Sequence, residues 1–152
     1  MFKTTPENIT GKQVVTQALE LRGLPYEMGG KDMDELDCSG FVVMVLRLLG
    51  HNELPDGIYP SGFEGGGAHQ IYQYCQQNGK RLPLEQIRRI AGSLLFTVNT
   101  RTGQAKHIAY SSGYNTTIEA RGEGYGCGEW PMRPGWHKWG YLIPNIKYGG
   151  IK

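Results

Sequence analysis

No stretch of this 152-residue chain is long and apolar enough to suggest a membrane span, and Met1-Phe2-Lys3-Thr4-Thr5-Pro6 holds no apolar signal core. Charge of one sign is equally scarce. Sixteen Lys and Arg against fourteen Asp and Glu leave a net charge of +2. No Lys/Arg block with interleaved aromatics is present, so nucleic acid is not expected as a partner. Cysteine is sparse. Cys38, Cys75 and Cys127 are an odd count with no tight pairing, which argues against a disulfide framework. No C-x-x-C or H-x-x-x-H spacing suggests zinc, and no metal is expected. The glycine-spaced segment Gly122 to Gly128 lacks the G-x-G-x-x-G order and follows no βα pattern, which excludes a dinucleotide site of that kind.

Glycine, by contrast, is plentiful at 23 residues, so loops and tight turns must occupy much of the chain. The 39% hydrophobic and 20% charged fractions are ordinary for a globular protein. The length fits one domain over residues 1–152 with a substantial core.

The stretch Leu36-Asp37-Cys38-Ser39-Gly40-Phe41 runs into Val42-Val43-Met44-Val45-Leu46-Arg47-Leu48-Leu49 and stops at Gly50. The run predicts a buried helix with Asp37-Cys38-Ser39 at its N-terminus. There, unpaired backbone N–H groups and the helix dipole favour an anion, and a thiolate is stabilised. Two readings stand side by side: Cys38 as a nucleophile, or Cys38 as a small buried apolar residue beside a capping Asp37 or Ser39. Cys75 and Cys127 read as packing or loop residues.

Around this stretch the other elements fall into two halves. Thr10 reads as an N-cap, and Val14, Val15, Ala18, Leu19 and Leu21 follow at helical spacing up to Gly23. Tyr26 lies in a turn-forming stretch, followed by the acidic Asp32, Asp34 and Glu35; it is either a core residue or part of a site. His51 stands thirteen residues beyond Cys38, roughly 20 Å along a helix. It suits a partner for the helix C-terminus and not a base for the thiol. Leu54 to Gly67 reads as a Pro/Gly loop that could rim a site. Ala68 to Gln77 reads as a helix in which His69 packs, and Leu84 to Ile90 as a short helical segment begun by Pro83. From Gly92 onward the pattern is that of strands: Ser93–Val98, Lys106–Ser111, Asn115–Ala120 and Trp136–Ile143.

A hairpin centred on Gly113 would set His107 opposite Glu119 and Ile108 opposite Ile118. One face then carries Ile108, Tyr110, Ile118 and Ala120, and the other His107, Ser111, Thr117 and Glu119. Of the four histidines, His107 is the one that acquires a carboxylate in this way. A carboxylate on one ring nitrogen leaves the other for a thiol, the nucleophile–base–orienter pattern. A cross-strand surface pair is the plainer alternative.

Tyr26-x-x-Gly29-Gly30 with Asp37-Cys38-Ser39-Gly40-Phe41 resembles the N-terminal signature of NlpC-type cysteine peptidases, papain-like endopeptidases of bacterial cell-wall peptides. Gly92-Ser93-Leu94-Leu95-Phe96 resembles the family's G-D-L-[VL]-F strand, with Ser93 in place of Asp. His107-Ile108-Ala109-Tyr110 and Thr117-Ile118-Glu119-Ala120 resemble its next two strands, with Glu119 where His is common. The resemblance implies an α+β papain-like fold, N-terminal helices packed on a central antiparallel sheet. It implies Cys38 as nucleophile, His107 as base, Glu119 as orienter, and Tyr26, Asp37 and Ser39 as substrate-binding residues. It further implies hydrolysis of peptidoglycan stem peptides, most naturally at the γ-D-glutamyl to diamino-acid bond, with no cofactor. Glu119-Ala120-Arg121-Gly122 and Trp136-x-x-Trp139-Gly140 are similar to members encoded within phage tail genes. Action at the bacterial wall would then go through a virion, an injection system or a longer secreted parent, with tail or secretion-apparatus proteins as partners. A non-catalytic wall-binding or tail module of the same fold, and a thiol amidase or acyltransferase on another amide or lipid, are the competing expectations.

Overall fold

The computed structural model describes residues 8–25, 37–55, 66–122 and 124–149. Tyr26, Asp32, Asp34, Glu35 and Gly65 lie outside them. The first helix, α1 (Gly11–Glu20), begins at a reciprocal cap. The Thr10 hydroxyl accepts the Gln13 N–H at 3.2 Å, and the Gln13 side chain accepts the Thr10 N–H at 2.9 Å. The apolar run forms α2 (Cys38–Leu48), which terminates before Gly50 at φ +90°. The third helix, α3 (Gly66–Asn78), starts earlier than expected. Gly66 and Gly67 belong to its first turn and not to a rim loop.

Six strands follow: β1 (Lys80–Pro83), β2 (Leu94–Val98), β3 (Ala105–Ser111), β4 (Thr116–Ala120), β5 (Cys127–Pro131) and β6 (Trp139–Leu142). A short helix, α4 (Leu84–Ile87), joins β1 to β2 with Pro83 at its N-cap. The strands form one antiparallel sheet in the order β1-β6-β2-β3-β4-β5. Two of them, β1 and β5, are absent from the sequence-based expectation. β6 is shorter than the expected Trp136–Ile143, which leaves Trp136 in the preceding loop.

Alternation along the strands divides the core. Leu94, Phe96, Ile108, Tyr110, Ile118 and Ala120 face the helices and pack on Val14, Phe41, Val42, Leu46 and Ile71. Leu95, Ala109 and Leu142 face the other way and pack on Ile87, Ile90 and Trp136. Cover on both faces explains why β2 opens as an unbroken apolar run instead of an alternating one. Ser93 is fully buried. Its hydroxyl donates to the carbonyls of Ile87 (3.0 Å) and Ile90 (2.8 Å), closing the end of α4.

Two polar contacts hold α2 in place. The Tyr110 hydroxyl, buried in the sheet, donates to the Val42 carbonyl at 2.7 Å. At the far end His51 corrects the expectation of a dipole partner. Its backbone N–H donates to the Leu46 carbonyl, while its buried ring Nε2 turns to the Pro144 carbonyl at 2.9 Å. His51 therefore ties the helix end to the segment after β6. His69 is structural too: its Nδ1 accepts the Ala105 N–H at 3.1 Å.

Tyr110→Phe removes the hydroxyl and keeps the ring. Loss of one buried hydrogen bond should lower unfolding stability by about 1 kcal/mol, measured by denaturant titration. An unchanged midpoint would show that the Val42 contact contributes nothing.

Candidate active site

The site is assembled from the start of α2 and the faces of β3 and β4. Asp37 is the N-cap, in an extended conformation, and its Oδ1 accepts the Gly40 N–H at 2.6 Å. The Ser39 hydroxyl donates to the same oxygen at 3.1 Å. Both side chains are buried. This double contact fixes Cys38 as the first helical residue, half-buried, in the turn whose N–H groups lack intrahelical acceptors. Asp37 thus performs the capping that sequence reasoning held open.

Cys38 lies close enough to His107 to favour the charged imidazole. Glu119 engages the same ring, with Nε2 to Oε1 at 2.7 Å. The structure therefore gathers the three candidate catalytic residues at one place.

The hairpin that brings His107 to Glu119 is registered differently from the expectation. Tyr110 pairs with Ile118 and Ser111 with Thr117. Continued, this register sets Ala109, not His107, opposite Glu119. The cause is the turn. Ser112 N–H bonds to the Thr116 carbonyl at 3.0 Å, and Gly113 and Asn115 both take positive φ (89° and 66°). The three enclosed residues are Gly113 to Asn115, so the turn is centred on Tyr114 and not on Gly113. A displacement of two residues keeps every side chain on its face. His107 and Glu119 are diagonal neighbours, a separation that a Glu side chain spans.

Glu119 is fully buried, and its charge is met from three directions. The Thr117 hydroxyl donates to Oε2. Arg133 donates from Nη1 to Oε2 at 3.0 Å and from Nη2 to Oε1 at 2.5 Å. Burial alone would raise this carboxyl, but the bonds from His107, Arg133 and Thr117 outweigh it and hold it at about 2. Burial likewise opposes the charged form of His107, yet the contacts with Cys38 and Glu119 prevail and raise it to about 9. At neutral pH the imidazole is therefore protonated. Trp136 closes the arrangement, its ring 5.8 Å from that of His107 and 5.1 Å from the Arg133 guanidinium.

Sequence reasoning named Cys38, His107 and Glu119 but missed Arg133. A buried Glu in mid-strand calls for a cation, but nothing local in the sequence says which of sixteen answers. Cys75 and Cys127 are the packing residues expected; burial pushes their thiols up to about 12 and about 11.

A thiol at a helix N-terminus set against a strand-borne imidazole on an antiparallel sheet defines the papain-like α+β class. The NlpC/P60 family model matches residues 23–141, and the chain belongs to that family. Among solved structures it is similar to the NlpC/p60 domain of the peptidoglycan hydrolase SagA, at 24% identity and a TM-score of 0.66, over 89% of this chain and 100% of that one. The P60 domain of an antigen from M. avium subspecies paratuberculosis matches at 22% identity and a TM-score of 0.64, over 88% and 93% of the two chains. The Resuscitation Promoting Factor Interacting protein RipA has been solved in forms mutated at a cysteine, a histidine and a glutamate. Its histidine variant matches at 21% identity and a TM-score of 0.65, over 88% of this chain and 61% of that one. A comparison with curated proteins finds no match.

The linkage of these groups to stability has a definite sign. His107 titrates higher in the fold than its ordinary 6.5, so its contribution is complete below about 6.5 and is lost as pH rises through about 9. Glu119 titrates lower than its ordinary 4.5, so its contribution is complete above about 4.5 and is lost as pH falls towards about 2. An NMR titration of the His107 ring should give a midpoint near 9 that moves down in Glu119→Gln. A ring titrating near 6.5 in the native protein would contradict the paired geometry.

Proposed function

We propose that this protein is a cysteine peptidase that hydrolyses an amide bond in peptidoglycan stem peptides, with residues 1–152 as one catalytic domain. The observation that carries the reading is the His107–Glu119 pair, 2.7 Å apart, with the Cys38 thiol at the start of α2 near enough to favour the charged imidazole. Membership of the NlpC/P60 family supports it. So does the name of SagA, a peptidoglycan hydrolase, and the choice of a cysteine, a histidine and a glutamate for mutation in RipA.

In this reading the Cys38 proton already resides on His107, as an imidazolium that Glu119 orients from behind. The thiolate attacks the carbonyl carbon. Backbone N–H groups at the start of α2 receive the oxyanion, where the helix dipole adds to their effect. Collapse of the tetrahedral intermediate breaks the C–N bond, and His107 returns its proton to the leaving amine. Water, deprotonated by the now neutral His107, then cleaves the thioester and regenerates the thiol. Asp37 and Ser39 are assigned to the substrate's free amine or peptide end, Tyr26 to the oxyanion or the shape of the site, and the γ-D-glutamyl to diamino-acid linkage is the bond proposed. A tail or secretion apparatus would deliver such an enzyme to the wall. Among the described residues no helix is long and apolar enough to cross a membrane.

Incubation of purified peptidoglycan with the protein and with Cys38→Ala tests the reading. Fragment release should fall by about a thousandfold or more in the variant, and mass spectrometry of the fragments should identify the γ-D-glutamyl bond as the one cut. Release should also decline as pH rises through about 9, where the imidazolium is lost. Equal release by both proteins would eliminate thiol catalysis.

A further inference from the structure

Glu119 poses a problem that the Cys38–His107–Glu119 reading leaves unsolved. A carboxylate with no solvent exposure is costly unless its charge is compensated and its lone pairs are filled. If His107 were its sole cation, the carboxylate would hold the imidazolium tightly. Such a ring orients well but gives up its proton poorly, and the leaving amine needs that proton.

Arg133 answers this geometrically. It lies between β5 and β6, in a segment fixed beside the β3–β4 turn by the Met132 N–H bonding to the Asn115 carbonyl at 3.1 Å. Its planar fork meets both carboxylate oxygens at once, at 3.0 and 2.5 Å. The Trp136 ring lies 5.1 Å from the guanidinium carbon and holds that plane. Oε1 is then shared between His107 and Arg133, and Oε2 between Thr117 and Arg133. No direction remains in which the carboxylate can turn.

We infer that Arg133 is a positioning residue for the His107–Glu119 pair, locking the carboxylate in the orientation that meets the imidazole and offsetting part of its charge. The inference rests on the reading proposed above for Cys38, His107 and Glu119. A neutral residue at position 119 would need no such cation, so the two positions act as a unit. Among the described residues, the charged and titratable groups facing His107 are Cys38 from α2 and Glu119 from β4, with Arg133 reaching it through that carboxylate.

A double-mutant cycle tests this with Arg133→Met, Arg133→Lys, Glu119→Gln and the Glu119→Gln/Arg133→Met pair. Two substrate-free readouts are the NMR titration of His107 and the pH dependence of Cys38 alkylation by iodoacetamide; fragment release from peptidoglycan is the third. Arg133→Met should move the His107 titration up by about one pH unit and slow release about tenfold through kcat, with KM on a soluble stem peptide unchanged. Arg133→Lys, which keeps the charge but loses the fork, should fall between that variant and the native protein. In the Glu119→Gln background, Arg133→Met should produce no further upward shift. The double variant buries no charge at this site and should stay folded, so the cycle remains readable if Arg133→Met alone unfolds. An equal shift in both backgrounds, no shift in either, or a loss confined to KM would overturn the inference. Absence of thiol-dependent release by the native protein would instead defeat the peptidase reading, while the two substrate-free readouts would still decide the role of Arg133.

Discussion

A full negative charge enclosed in the middle of a β-sheet constrains everything near it, and Glu119 is that charge. Its side chain has no solvent exposure, so protein groups must supply its partners. The adjacent strand provides Gly128 directly across from it, with the Trp130 ring lying over that position. A Cβ there would come within 3.2 Å of the indole. Thr117 supplies a hydroxyl from two residues back on the same face. The remaining partners are a histidine from one side and an arginine from a loop on the other, both brought in by tertiary contacts.

The thiol reaches this network from the opposite layer. Its placement depends on how α2 is seated against the sheet: Phe41 and Tyr110 meet edge to face, with ring centroids 6.2 Å apart, and the Tyr110 hydroxyl anchors Val42 one turn into the helix. The cap at Asp37 then determines where the helix begins, and so where Cys38 stands. Burial of apolar surface holds the layers together, while a few directed hydrogen bonds decide the register between them. Chemistry at the site draws on both.

Much of this was legible before the structure. Helix α2 and its cap followed from one apolar run and a capping residue. The face shared by His107 and Glu119 followed from the two-residue period of strands. The register did not, because it depends on which residues the turn encloses, and the left-handed Asn115 gives no strong signal beside Gly113. Strand β1 carries charges and ends in Pro83, and β5 opens in a glycine-rich stretch, so neither shows the expected alternation; pairing with neighbours makes them strands. Arg133 stayed hidden because its partner is fourteen residues away and on another element. Periodicity reports what is near in sequence and says little about which distant cation answers a buried anion.

The three sulfurs differ in what an oxidant can do to them. Cys75 and Cys127 sit within the core, and burial keeps them as thiols at any ordinary pH. Cys38 alone is partly open and paired with an imidazolium. Peroxide should therefore modify Cys38 before it unfolds the molecule: a sulfenic acid at the head of α2 leaves both apolar layers untouched, and a small thiol reductant can reverse it. Oxidation at this sulfur and denaturation are thus separate events in this fold, divided by the depth at which each sulfur lies.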